Sequence, residues 1–306
     1  MKILLLGCNG QLGWELQRSL GLIGDVVALQ RDATRNPDGL CGDLLDLEGL
    51  RTTVQQQAPQ VIVNAAGYTA VDTAQSQPDA AHTINARAPA LLAEQAQLLG
   101  AWLVHYSSDY VFDGSGTAPW RETDTPAPLN VYGQTKLAGE EAMRSACAQH
   151  LLLRTSWVYA ARGSNFAKTM LRLAGQRASF SVVDDQVGAP TAAEMLADAT
   201  AHMLRAALAQ PALAGTYHCT AAGATSWHAY ARFVVAQARA MGWPLLATPD
   251  GIAPIPSRDY PTPAPRPLNS RLCCDKLTQA FGLRLPPWQW QVLRMLEAIR
   301  PQAAMP

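Results

Sequence analysis

The sequence predicts an α/β protein in which a doubly wound parallel sheet carries a smaller α/β lobe. Three observations point there. Short apolar runs alternate with amphipathic stretches through the first half, a glycine-rich turn joins the first run to the first stretch, and the second half loses this regular alternation. A parallel strand covered on both faces reads as a short apolar run, and the helix that returns the chain reads as a longer stretch with a helical period.

In chain order the elements are Lys2–Leu6, Gln11–Leu20, Val26–Leu29, Leu47–Gln57, Gln60–Asn64, Ala80–Leu99, Trp102–Ser107, Tyr132–Ala146 and Leu151–Thr155. That order repeats strand, helix, strand, which calls for helices on both faces of a parallel sheet. The second half places helices near Asn165–Ala174, Glu194–Leu208, Trp227–Ala240 and Trp288–Ile299, with short strands at Phe180–Val183 and Gly215–Cys219. The segment Pro254–Pro267 holds six prolines, too many for a helix or an inner strand, and is expected as an extended stiff loop.

Composition narrows the function classes. A chain of 306 residues, 48% hydrophobic and 16% charged, can bury a full core, and its 24 Lys and Arg balance 24 Asp and Glu. No net positive field gathers nucleic acid or an anionic membrane, so an anionic ligand must be held locally. The apolar run Ile3–Leu6 before Gly7 is too short for a secretory signal, and the Ala- and Leu-rich stretch Ala192–Ala209 is broken by Glu194, Asp198, His202 and Arg205, so neither export nor a membrane span is expected. Cys8, Cys41, Cys147, Cys219, Cys273 and Cys274 show no metal spacing with the six histidines, and reduced thiols in a cytoplasmic setting are expected.

Gly7-Cys8-Asn9-Gly10-Gln11-Leu12-Gly13 follows a strand and opens a helix. Glycines in that pattern permit a tight turn, close approach of backbone to a pyrophosphate and close helix–strand packing, while the helix N-terminus offers positive partial charge. The context is that of a Rossmann-type fold. After the second strand stand Gln30 and Arg31, where an acidic residue would normally take a ribose 2′-hydroxyl; Arg31 can pair a 2′-phosphate, and a solvated surface arginine accounts for it equally well. Asn64-Ala65-Ala66-Gly67 ends a strand in small residues, as a cofactor resting on the backbone or a packing seam would require.

Ser107-Ser108-Asp109 ends a further strand, and Tyr132 and Lys136 stand four apart on the helix after it, on one face. A ketone that accepts a hydride needs a proton at its oxygen. Tyrosine, with an ordinary pKa near 10, suits that task at neutral pH when its pKa is lowered. Lys136 and the N-terminal dipole of a helix capped by Asn130 are expected to lower it, and Ser108 to hydrogen-bond the same oxygen.

With Gly10-Gln11-Leu12-Gly13, the runs His105–Gly114, Pro128–Gly133, Thr135–Glu140 and Arg154–Tyr159 resemble the dTDP-4-dehydrorhamnose reductases. Similarity continues through Asn165–Met170, Asp185-Gln186, Gly188–Thr191, Tyr260–Ala264 and Arg266-Pro267, nearly the whole chain. The resemblance implies reduction of the C4 ketone of dTDP-4-dehydro-L-rhamnose by NADPH or NADH, with Ser108, Tyr132 and Lys136 as the catalytic set. It implies a cofactor bound by Gly7, Gly10, Gln11, Leu12, Gly13, Gln30, Arg31, Asp43, Leu44, Ala65, Ala66, Tyr132 and Lys136, with Asp43 against the adenine.

It further implies a sugar-nucleotide site of Thr69, Val71, Ser108, Trp157, Asn165, Gln186 and Arg266, in which Trp157 offers a flat wall and Arg266 a fork for a pyrophosphate. Residues 1–156 would hold the dinucleotide and 157–306 mainly the sugar nucleotide, with 190–222 free to return to the first part. A homodimer with Mg2+ at its interface is implied through Glu15, Glu194 and Glu297, which read from sequence alone as a solvated helix face. Thr73-Ala74-Gln75 departs from the charged residues common in the family. The other readings open at this point are a non-catalytic NADP-binding regulatory subunit and another dTDP-sugar 4-ketoreductase or epimerase.

Overall fold

The computed structural model describes residues 1–300. Six strands, β1 (Lys2–Leu6), β2 (Asp25–Leu29), β3 (Val61–Asn64), β4 (Trp102–Ser108), β5 (His150–Thr155) and β6 (Gly215–His218), form one parallel sheet in the order β6-β5-β4-β3-β1-β2. The register sets Leu4 beside Val27 and Ile62, Val63 beside Val104, and Val104 beside Leu151.

The helices that shape the site are α1 (Gln11–Leu20), α2 (Leu47–Gln57), α3 (Val71–Ser76), α4 (Ala88–Leu99), α5 (Val131–Ala146), α6 (Phe166–Gln176), α7 (Ala193–Ala209), α8 (Trp227–Ala240) and α9 (Trp288–Ala298). α1 and α7 cover one face of the sheet, over Ile3, Leu5, Val63, Val104 and Leu153. α2 and α4 cover the other, over Leu4, Leu6, Ile62, Leu103 and Leu152. Burial on both faces explains why these strands are apolar at every position rather than at alternate ones. The smaller lobe packs α6, α8 and α9 around Tyr159, Met170, Tyr230, Val234 and Val292. β6 and α7 lie late in the chain yet build the large sheet layer. No helix among the described residues is long and apolar enough to cross a membrane.

Three departures from the sequence reading have physical causes. The helix expected over Ala80–Leu99 starts at Pro78 and is widened at Thr83–Arg87 into a single π turn before α4. That turn carries the fully buried Asn85, whose amide binds both backbone groups of Tyr68 and the Thr135 hydroxyl. α3, absent from the reading, is too short and polar to show a period. The proline segment begins inside a strand, Ile252–Ile255, paired in parallel with Phe180–Val183. Pro254 is tolerated because the ribbon has only two strands and leaves an unpaired edge.

The joint between α5 and the sheet is ionic. Glu140 is fully buried; its Oε1 accepts from Arg154 Nε at 2.9 Å and its Oε2 from Arg154 Nη2 at 2.6 Å and Arg144 Nη1 at 3.0 Å. The Arg154 guanidinium also lies over the Phe112 ring, 5.1 Å from its centroid. Breaking such a pair strands a buried charge, so Glu140→Ala is expected to lower stability by about 3–5 kcal/mol in urea unfolding. The double change Glu140→Leu with Arg154→Met, which removes both charges, should lose clearly less.

Candidate active site

The loops after β1, β3 and β4 open into one cleft of about 740 Å³. Its position follows from the strand order: β1 lies between β2 and β3, and α1 and α2 leave to opposite faces of the sheet, so the loops part there.

At one end is the glycine turn. Gly7 has φ +80°, and a Cβ there would stand 2.8 Å from the Ala66 nitrogen; a Cβ on Gly13 would stand 2.1 Å from the Gly7 carbonyl oxygen. Those two glycines let backbone lie on backbone. Gly10 is the N-cap of α1, no side chain caps that helix, and no acid sits in its first turn. The first-turn amides are therefore free of side-chain acceptors beside a cleft wall formed by Gly7, Gly10, Gln11 and Leu12. This cradle fits a dinucleotide diphosphate, which would bring the negative charge that the helix terminus lacks.

Ala65 and Ala66 line the same cleft, as do Arg31, Asp43 and Leu44. Arg31 is exposed and makes no ion pair among the described residues. One Asp43 oxygen accepts the Leu45 amide at 3.0 Å, which sets the carboxylate. Gly13 and Gln30 are not on the wall: Gly13 packs against the Gly7 carbonyl, and the Gln30 side chain accepts from Asn9 at 3.3 Å.

Ser108 ends β4 and Tyr132 stands in the first turn of α5. That turn is held from several sides: Asn130 accepts the Gly133 amide at 2.8 Å and donates to the Pro265 carbonyl at 2.8 Å, while Gln75 from α3 accepts the Val131 amide at 2.7 Å. Lys136 is buried and donates to the Tyr106 carbonyl at 2.6 Å. Ser108, Tyr132 and Lys136 all face the cleft.

The electrostatics correct one expectation. Burial pushes the Tyr132 phenol up to about 12, with a hydrogen bond from Ser108 opposing and the nearby Asp109 charge adding to the rise. Lys136 does not hold the phenol down in this state. Its own burial lowers it to about 8, against the pull of Glu140, and its proton bonds to a carbonyl. The phenol consequently keeps its proton at neutral pH.

Of the residues expected at the sugar nucleotide, Thr69, Val71, Ser108 and Trp157 line the cleft. Trp157 holds a left-handed backbone (φ +49°) and stacks on Trp227 with centroids 3.5 Å apart and planes 13° from parallel. Asn165, Gln186 and Arg266 do not line it. Asn165 caps α6 by accepting the Lys168 amide and donates to Gln11 at 3.1 Å, so it ties the smaller lobe to the glycine turn. Gln186 donates to the Ser257 hydroxyl at 2.9 Å. Arg266 pairs with Asp72 at 2.6 Å and lies over the Tyr110 ring, and its buried Nη1 has no partner among the described residues.

Sequence reasoning missed Asp109, Tyr110, Ile84 and Trp227 on the cleft wall. Asp109 and Tyr110 sit inside the run that carried the resemblance and could have been taken with Ser108. Trp227 opens an ordinary amphipathic helix, and only packing brings it to the site. Glu15 lies 3.6 Å from Arg18, Glu194 lies 2.7 Å from Arg294, and Glu297 is exposed. Among the described residues of one chain no three acidic, histidine or cysteine side chains gather as a metal site.

A model of the family described as RmlD substrate binding domain matches residues 1–300. The chain belongs to that family. To a dTDP-4-dehydrorhamnose reductase of Escherichia coli K12 this RmlD-family chain is 52% identical over 299 residues, 98% of each chain. A dTDP-4-dehydrorhamnose reductase of Clostridium acetobutylicum superposes with a TM-score of 0.87 at 32% identity, covering 98% of this chain and 100% of the other. One from Bacillus anthracis, solved in complex with NADP, superposes with a TM-score of 0.85 at 32% identity, covering 97% and 99%. The RmlD-family fold is therefore the doubly wound parallel sheet with a smaller lobe that the sequence predicts.

Proposed function

We infer that this protein is an NAD(P)H-dependent reductase that converts the C4 ketone of dTDP-4-dehydro-L-rhamnose to the alcohol of dTDP-L-rhamnose. One observation carries the reading: Ser108, Tyr132 and Lys136 share a cleft with an uncapped helix N-terminus, in a chain 52% identical over 98% of its length to a reductase of that name. When bound, the reduced nicotinamide supplies a hydride. The protein's part is to hold and move a proton. A phenol raised to about 12 stays protonated at neutral pH and releases its proton only to an oxygen on which negative charge develops, so Tyr132 acts as the acid. Lys136 brings a positive charge into a dry site, where it favours the phenolate left behind.

In this reading the cofactor rests on Gly7, Gly10, Gln11, Leu12, Ala65 and Ala66 and reaches Arg31, Asp43 and Leu44, all on the cleft wall. The sugar nucleotide meets Thr69, Val71, Ser108 and Trp157. Arg266 has a free donor for a phosphate oxygen, while Asn165 and Gln186 act by bracing the loops around them. Residues 1–156 with the returning stretch 190–222 serve the dinucleotide, and the rest of 157–306 the sugar nucleotide. The protein works in the cytosol, in keeping with six unpaired cysteines.

The same reading takes two copies to share Mg2+ through Glu15, Glu194 and Glu297. Support comes from α1, α7 and α9 lying side by side: Arg18 of α1 reaches Asp198 of α7, and Arg294 of α9 reaches Glu194 of α7. Sedimentation with and without a chelator should show a dimer that weakens when the metal is removed; a dimer indifferent to chelation leaves the three as surface glutamates.

Tyr132→Phe is expected to lower turnover by ~10²-fold or more with dTDP-4-dehydro-L-rhamnose while the cofactor dissociation constant stays within about twofold. Near-wild-type turnover in that variant would remove Tyr132 from the chemistry. Arg31 is exposed, so its contact with a 2′-phosphate is worth only ~0–1 kcal/mol and NADPH preference should be ~5-fold or less. Arg31→Ala should raise the Michaelis constant for NADPH and leave that for NADH unchanged; a parallel rise in both would show that Arg31 does not read the phosphate.

A further inference from the structure

Trp157 is held in a backbone conformation that its side chain disfavours. Its φ of +49° lies in the left-handed region, and among the described residues no other non-glycine residue on the cleft wall shares it. A bulky residue stays in that region only where its surroundings over-determine it.

Those surroundings come from one short ribbon. Gly188 pairs with Thr225 and Val187 with Ser226 in antiparallel register, and Trp227 follows at once as the first residue of α8. The ribbon therefore brings two contacts to the Trp157 indole. Trp227 stacks on it at 3.5 Å, and Gly188 lies so close that a Cβ there would stand 2.8 Å from Trp157 Cε2 and 3.0 Å from Cζ2. Trp227 is itself fixed. Ser226 caps α8 by accepting the Ala229 amide at 3.0 Å and donates to Asp184, while the Phe166 ring lies 4.5 Å from the Trp227 ring and stacks in turn on Tyr230. The indole pair is thus the cleft end of an aromatic column that reaches the core of the smaller lobe. No other two tryptophans stack among the described residues.

We propose that Trp227 is a positioning residue for the sugar nucleotide: it holds the Trp157 indole, against the preference of that residue's backbone, as the flat wall that the deoxysugar meets. The inference rests on the reductase reading. A 6-deoxysugar presents C–H groups of its ring and methyl as an apolar face, which an indole plane matches. That face is present before and after hydride reaches C4, so the wall contributes to binding and not to the chemical step. Without the Trp227 ring, Trp157 is free to relax out of the left-handed conformation, and the wall turns away from the sugar.

The test is steady-state turnover of the full-length protein with dTDP-4-dehydro-L-rhamnose and NADPH. Trp227→Leu, which fills much of the space without a flat ring, should raise KM for the sugar nucleotide roughly tenfold, with kcat within about threefold and the calorimetric NADPH dissociation constant within about twofold. Trp227→Phe restores a ring to the stack and should bring KM back to within about threefold of the wild type. Trp157→Ala combined with Trp227→Leu should be no worse than Trp157→Ala alone, because Trp227 acts through Trp157. Circular dichroism adds a readout independent of activity: two stacked indoles couple their electronic transitions, and the resulting pair of bands of opposite sign should be present in the wild type and lost in Trp227→Leu and in Trp157→Ala. If Trp227→Leu does not fold, Gly188→Ala, which presses on the same indole from the ribbon, takes its place and should raise the same KM. An unchanged KM in the variant used, losses that multiply in the double variant, cofactor binding that weakens along with KM, or a wild type without the paired bands overturns the proposal. Absence of any NADPH oxidation by the wild type overturns the reductase reading, and this inference with it.

Discussion

The site depends on where α5 is held, and the buried pair between Glu140 and Arg154 holds it. Glu140 lies one turn beyond Lys136 on the same helical face, and Arg154 belongs to the strand beside the one that ends in Ser108. One bidentate contact thus ties the helix that carries Tyr132 to the strand edge that carries Ser108. Lys136, bonded to the Tyr106 carbonyl, adds a second tie from the same face. Asn130 and Gln75 fix the helix start. Removing either charge of the buried pair would strand the other, so the pair fixes the position of α5 through the cost of breaking it.

Burial then acts on three ionisable groups with signs set by their charge type. It raises the Tyr132 phenol and the Asp109 carboxyl, whose charged forms are anions, and lowers Lys136, whose charged form is a cation. All three move toward neutrality for one reason, the loss of water. A site in that state holds its protons until a developing charge calls for them, which suits proton donation to a ketone. At the other end of the cleft the demand is opposite: the uncapped N-terminus of α1 has positive partial charge and no anion of its own.

Polar ties join the two lobes beside the apolar contacts of α7, whose Leu196 lies in the core of the sheet layer and whose Met195 packs on that of the smaller lobe. Asn165 of the smaller lobe donates to Gln11 in the glycine turn, and Arg162 lies over Trp14, 4.1 Å from the ring centroid. On the far side α3 links both parts, since Asp72 pairs with Arg266 and Gln75 caps α5. Thr73-Ala74-Gln75, the departure from the family pattern, thus contributes a hydrogen bond to the helix that carries Tyr132. Such ties leave each lobe its own apolar core.

The sequence by itself determined the strand and helix order, the glycine turn and the Ser108, Tyr132 and Lys136 set. All are local: a buried parallel strand is apolar along its length, a helix repeats at 3.6, and Tyr132 and Lys136 share a face at a spacing of four. Tertiary structure alone decided what surrounds them. Arg154, Arg266 and the Tyr106 carbonyl lie 14, 194 and 30 residues from the Glu140, Asp72 and Lys136 side chains they bind, and no periodicity encodes those pairs. The direction of the Tyr132 shift could not be read either. Proximity to a lysine in sequence suggests a lowered phenol, but the low dielectric around it, which depends on packing from every side, raises it instead.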